Sequence, residues 1–73
     1  MTKRPRILVV DDEAAIRRFL RTGLGEQGYE VMEAETAQAG IESAAREKPD
    51  LLILDLGLPD LDGLEVLQQI RRT

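Results

Sequence analysis

Two short runs constrain this chain more than anything else in it: Ile7-Leu8-Val9-Val10 and Leu51-Leu52-Ile53-Leu54, followed at once by Asp11 and Asp55. Successive side chains of a strand point to opposite faces, so a run that is apolar at every position expects cover on both. That is the pattern of an inner strand of a parallel sheet, and parallel strands need long, usually helical, crossovers between them. The closing aspartates raise a second question, because a charge at the end of a buried strand is costly unless something uses it.

The segments between the runs supply the crossovers. From Ala14 the apolar period changes: Ile16, Phe19, Leu20 and Leu24 fall on one helical face, Arg17, Arg18 and Arg21 lie off it, and Gly25 and Gly28 end the helix. Tyr29 to Ala34 is a second, weaker strand. Thr36 is placed to cap a helix that carries Ala37, Gly40, Ile41, Ala44 and Ala45 on one side and stops before Pro49. Leu51 to Leu56 is the third strand, and Leu64, Leu67 and Ile70 mark a last helix running to Arg71 or Arg72. The order βαβαβα predicts an α/β fold, a parallel sheet layered with helices. With neither repeat nor linker, residues 1–73 read as one domain or a piece of one.

Several chemistries are excluded by what the chain lacks. It has no cysteine and no histidine, which removes disulfides, thiolate metal sites and the commonest general base. The net charge of −4 comes without a long basic stripe, so these residues do not predict nucleic-acid binding. The longest apolar runs are far too short to span a bilayer. MTKRPRILVV begins like a signal peptide, but two aspartates follow at once and no small-residue cleavage site is present. The expectation is a cytoplasmic protein without membrane contact.

In doubly wound sheets, ligands bind outside the carboxyl ends of the strands. If the first and third strands are neighbours, Asp11, Asp12 and Asp55 converge there and repel one another unless a cation sits between them. Hard oxygen ligands select Mg²⁺, Mn²⁺ or Ca²⁺ over zinc, and a Mg²⁺ site of carboxylates and waters leaves room for phosphate oxygens. A carboxylate beside that ion can attack phosphorus, which would explain the place of Asp55. Plainer readings stand beside this one. Asp11 and Asp12 suit a helix N-terminus, and Asp55 suits a turn. Asp60 and Asp62 read as loop residues outside the site, with Asp62-Gly63 opening the last helix. The arginines read as a solvated helix face or a partner surface, and Gly40 as a close-packing position.

VVDDEAAIRRFL, PDLLILDLGLPDLDG and EVLQQIRR together resemble the response-regulator receiver domains of two-component signalling, over nearly every residue present. Within that family, ETAQAGIESAAREKPDLLILDLGLPD is similar to regulators of bacterial potassium-transport operons. The resemblance implies the (βα)3 portion of a flavodoxin/CheY-like doubly wound receiver fold, a three-layer arrangement around a parallel sheet. It implies Asp55 as phospho-acceptor, Asp12 as a direct Mg²⁺ ligand and Asp11 as a ligand through a water. It also implies that the Gly57 backbone carbonyl completes the protein's share of the metal shell, and that Pro59 and Gly63 shape the loop. A sensor histidine kinase is the implied partner, with DNA reached only through a carboxyl-terminal winged-helix domain outside these residues.

The pattern departs from the family in extent. A receiver has five βα units and this chain carries three, so the hydroxyl residue after strand four and the lysine after strand five have no counterpart. In the receiver order the third strand would then be an edge, and an apolar edge invites pairing with another chain. Self-association through Leu51 to Leu56 is therefore expected, and a self-associating half-domain without phosphotransfer activity is the alternative to a working receiver. A haloacid-dehalogenase-like phosphohydrolase also places an aspartate nucleophile at a strand end with Mg²⁺. It needs a second aspartate two residues on, where this chain has Gly57.

Overall fold

A computed structural model describes residues 4–71. Its elements are β1 (Arg6–Val10), α1 (Ala14–Glu26), β2 (Glu30–Ala34), α2 (Ala37–Glu47), β3 (Leu51–Leu54) and α3 (Gly63–Arg71). The three strands form one parallel sheet in the order β2-β1-β3, with Val10 level with Ala34 on one side and Leu54 on the other. The expected α/β architecture is therefore present, with β1 innermost. Arg72, where the last helix was expected to end at the latest, lies outside the described residues.

Side-chain alternation along β1 divides the molecule into layers. Leu8 and Val10 join Ala34, Ala37, Ile41, Ala44, Leu58 and Val66 in one core cluster, on the face where α2 packs against the sheet and against α3. Ile7 and Val9, also buried, point to the opposite face, where α1 lies over β1 and β2. Local chemistry sets the helix ends. Thr36 Oγ1 accepts the Ala39 N–H at 3.1 Å. Lys48 ends α2 in the left-handed region at φ 48°, just before Pro49. Gly28, at φ 95°, turns the chain from α1 towards β2.

Gly40 shows how tightly α2 sits on the sheet. A Cβ there would lie 2.8 and 2.9 Å from the two γ-methyl groups of Val10, a side chain with no exposed surface. The reading of Gly40 as a close-packing position is thus borne out. Gly63 meets a similar limit, since its Cβ would collide with Leu56 Cδ2 and stand 3.2 Å from Leu56 Cα.

Several expectations need correction. Phe19, assigned to the buried face of α1, is 72 % exposed, and no residue of that helix is buried. Leu20 and Leu24 are half-buried where α1 lies over β1 and β2, while Ile16 and Phe19 are exposed. In α3 the inward stripe is Gly63, Val66 and Ile70, while Leu64 and Leu67 face outward. Ala45 is exposed, and Ser43 takes its place on the buried side of α2. β3 stops at Leu54 instead of Leu56, and it is half-buried, with Leu51 exposed, where cover on both faces was expected. Among the described residues β3 pairs on one side only, with β1, which leaves its flank open.

Candidate functional site

Register brings the acidic residues together. Asp11 and Asp55 follow Val10 and Leu54, which are paired neighbours, so the two aspartates leave adjacent strands at the same level. Backbone bonds continue the ladder for one more step. The Asp11 N–H donates to the Ala34 carbonyl at 3.1 Å and the Asp55 N–H to the Val10 carbonyl at 2.9 Å. Asp12 stands next to them, and one carboxylate oxygen from each of Asp11, Asp12 and Asp55 lies within 4.8 Å of the others.

The plainer readings of these residues are partly true as geometry. Asp11 Oδ1 accepts the Glu13 N–H at 2.9 Å, and Asp55 Oδ1 accepts the Gly57 N–H at 2.9 Å. Each bond folds the carboxylate back over its own turn and occupies one oxygen. Neither Asp11 nor Asp12 caps α1; Glu13 occupies the cap position and makes no side-chain cap bond. Among the described residues, no ion pair involves Asp11, Asp12 or Asp55. Three clustered carboxylates without a cationic side chain between them are a donor set suited to a hard divalent ion. The Gly57 peptide, tied to Asp55, adds a backbone carbonyl in the same turn.

Sequence reasoning missed two supports. Arg17, expected to lie on a solvated or partner-facing surface, is turned inward. Its Nη1 donates to the Asp11 carbonyl oxygen at 2.7 Å, and its Nε lies 3.3 Å from Glu33 Oε1. Arg21 Nη1 reaches the other Glu33 oxygen at 2.8 Å, so of the three arginines only Arg18 keeps to the expected exposed face without such a partner. The available signal was Glu33, an acidic residue set between Met32 and Ala34 inside the second strand.

The second support is Asp60, excluded from the site by its sequence context. Its two carboxylate oxygens accept the Ala37 and Gln38 N–H groups, each at 3.0 Å, and these bonds hold its carboxyl below the usual carboxylate range. Asp62 behaves as expected, with Oδ1 accepting the Leu64 N–H at 2.9 Å at the start of α3.

Residues 7–73 match the family described as Response regulator receiver domain. The KDP operon transcriptional regulatory protein KdpE of Escherichia coli is 59 % identical over 66 residues, which are 90 % of this chain and 29 % of that protein. The transcriptional regulatory protein KdpE of Mycobacterium tuberculosis is 48 % identical over 65 residues, 89 % of this chain and 29 % of that protein. The chain thus spans under a third of the length of these relatives. A CheY-like receiver domain from Methanospirillum hungatei superposes with a TM-score of 0.92 at 37 % identity, covering 96 % of this chain and 56 % of that one. The chemotaxis regulator CheY4 of Vibrio cholerae gives 0.91 at 29 % identity, covering 94 % and 57 %. Fold, acidic cluster and sequence thus agree, and the chain belongs to the response regulator receiver domain family.

Proposed function

We propose that this chain is the phospho-accepting part of a cytoplasmic response regulator, taking a phosphoryl group from a sensor histidine kinase onto Asp55 with Mg²⁺ bound at Asp11, Asp12, Asp55 and the Gly57 carbonyl. The observation that carries this reading is the convergence of three carboxylates, unpaired by any cationic side chain among the described residues, at the carboxyl end of adjacent parallel strands. An Asp55 carboxylate oxygen attacks phosphorus in line. The P–N bond of a phosphohistidine, or the P–O bond of a small acyl phosphate, breaks, and its electron pair leaves with the departing group. Bound Mg²⁺ would screen the repulsion between the anionic nucleophile and the anionic phosphoryl group. Asp11 and Asp12 hold negative charge beside the nucleophile, and the Gly57 N–H fixes one Asp55 oxygen. The chain accepts the group on its own side chain and promotes its own phosphorylation, so it is not an enzyme in the classical sense.

The relatives are named as transcriptional regulators, and we extend this to the present chain: phosphorylation here would govern DNA binding by a separate domain. The reading is tested by intact mass after incubation with Mg²⁺ and acetyl phosphate. One added phosphoryl group, not formed when the ion is chelated beforehand, is the expected result. A folded chain that takes up none would sink the proposal.

One observation also favours self-association of the polypeptide formed by these 73 residues. The outer edge of β3 has no partner among the described residues, and Leu51 and Leu56 beside it are 55 % and 69 % exposed. An unpaired apolar edge is a template for a second copy. Sedimentation at micromolar concentration should show a dimer or larger species that persists in Asp55→Asn and dissociates in Leu51→Lys, whose charge opposes edge pairing. A well-folded monomer of the parent sequence would rule this out. No helix among the described residues is long and apolar enough to cross a membrane.

A further inference from the structure

Within the run Leu54 to Leu64, Asp55 and Asp62 bond N–H groups two residues ahead of themselves, whereas the Asp60 carboxylate reaches another element. Its Oδ1 takes the Ala37 N–H and its Oδ2 the Gln38 N–H, while Thr36 Oγ1 takes that of Ala39. The first turn of a helix leaves its N–H groups without intrahelical partners, and here three successive ones are satisfied, two by a side chain from a loop far along the sequence. Negative charge at a helix N-terminus is also favoured by the helix dipole. Asp60 thus makes a firm bond between α2 and the loop that follows β3.

That loop is fixed at several places, Leu61 packing against the core among them. Asp55 is held to β1 through the Val10 carbonyl, Leu58 is buried in the core, and Asp60 is clamped to α2. Gly57 lies between the first two points, is exposed itself, and carries the carbonyl of the proposed cation shell. Among the described residues, Asp60 is the one side chain between Leu58 and α3 that hydrogen-bonds another element; Leu61 adds only apolar packing, and the Asp62 bond is local to the start of α3.

We propose that Asp60 is a positioning residue for the cation site: by clamping the β3–α3 loop to the N-terminus of α2, it sets where the Gly57 carbonyl stands relative to Asp12 and Asp55. This role rests on the metal reading of the acidic cluster. Coupling of this kind is reciprocal, so a cation held at the cluster also tightens the first turn of α2.

The test uses ¹⁵N-labelled chain, with amide exchange and Mg²⁺ titrations followed at Asp12, Asp55 and Gly57. In Asp60→Ala, exchange at Ala37 and Gln38 should accelerate at least about tenfold, and the Mg²⁺ dissociation constant should rise about tenfold, as for other groups that orient metal ligands. Asp60→Asn keeps one carbonyl oxygen able to accept and should recover part of both. Should the alanine variant fail to fold, the asparagine variant decides, with an intermediate dissociation constant expected. Faster exchange and a lower melting temperature with unchanged Mg²⁺ affinity would reduce Asp60 to a helix cap and overturn the proposal. A parent chain that binds no Mg²⁺ would overturn the metal reading itself, an outcome visible before any variant is made.

Discussion

Asp55→Asn is expected to abolish phosphoryl uptake completely and, in metal-free buffer, to raise the melting temperature. Both effects come from the removal of one charge. An amide oxygen is no nucleophile towards phosphorus, so the mass adduct disappears. Asp55 also lies within 4.8 Å of two other carboxylates and has no cationic partner among the described residues. Like charges at about this separation repel by about 1 kcal/mol at the dielectric constant of water, the suitable end of the range for a cluster that includes the exposed Asp12. In a domain this small, relief of that order moves the midpoint by about 5 °C. The side-chain amide oxygen introduced by the substitution can still accept the Gly57 N–H, so the turn survives. Added Mg²⁺ should reverse the ranking, stabilising the parent more than the variant. Calorimetry with and without the ion reads both signs, and a variant less stable than the parent in metal-free buffer would show that the cluster is not under repulsion.

The second large effect is expected at Gly40. Its Cβ would stand 2.8 and 2.9 Å from the Val10 methyl groups, and Val10 is fully buried and, being β-branched, stiff at χ1. Overpacking costs about 1–3 kcal/mol, while alanine gains about 1 kcal/mol of helix propensity over glycine, so Gly40→Ala should lose up to about 2 kcal/mol net. A domain of this length has only about 5 kcal/mol in total, and Gly40→Leu should leave it largely unfolded. The damage would also reach the site, because Val10 immediately precedes Asp11 and its carbonyl holds the Asp55 N–H. Urea denaturation of Gly40→Ala should show a lower midpoint at unchanged slope. A midpoint equal to or above the parent's would mean that α2 can shift to make room.

Much of this arrangement is legible in the residues themselves, and the exceptions share a cause. β1 is announced by Ile7 to Val10, and α2 by Thr36 at one end and Pro49 beyond the other, because strand period, cap chemistry and proline act locally. The meeting of Asp11 with Asp55 follows once the two apolar runs are taken as neighbours. Phe19 was misassigned because an apolar stripe states which face could be buried, and the neighbours packed on that face decide which positions are. Asp60 and Arg17 escaped notice for a related reason. Each satisfies a backbone group on another element, the Ala37 N–H or the Asp11 carbonyl, and backbone partners leave no mark in sequence spacing.

The order β2-β1-β3 has a consequence for the time at which chemistry becomes available. β1 and β2 are joined through α1 and can pair while the rest of the chain is still unfolded; β3 must close a much longer loop, past the whole of α2, to reach the other edge of β1. Such long-range closures are the slow events of folding. Before β3 docks, Asp55 is an ordinary solvated carboxylate far from Asp11 and Asp12. The acidic cluster therefore comes into being with the closing of the sheet, and on the proposed reading an incompletely folded chain has no assembled cation site at which to receive a phosphoryl group.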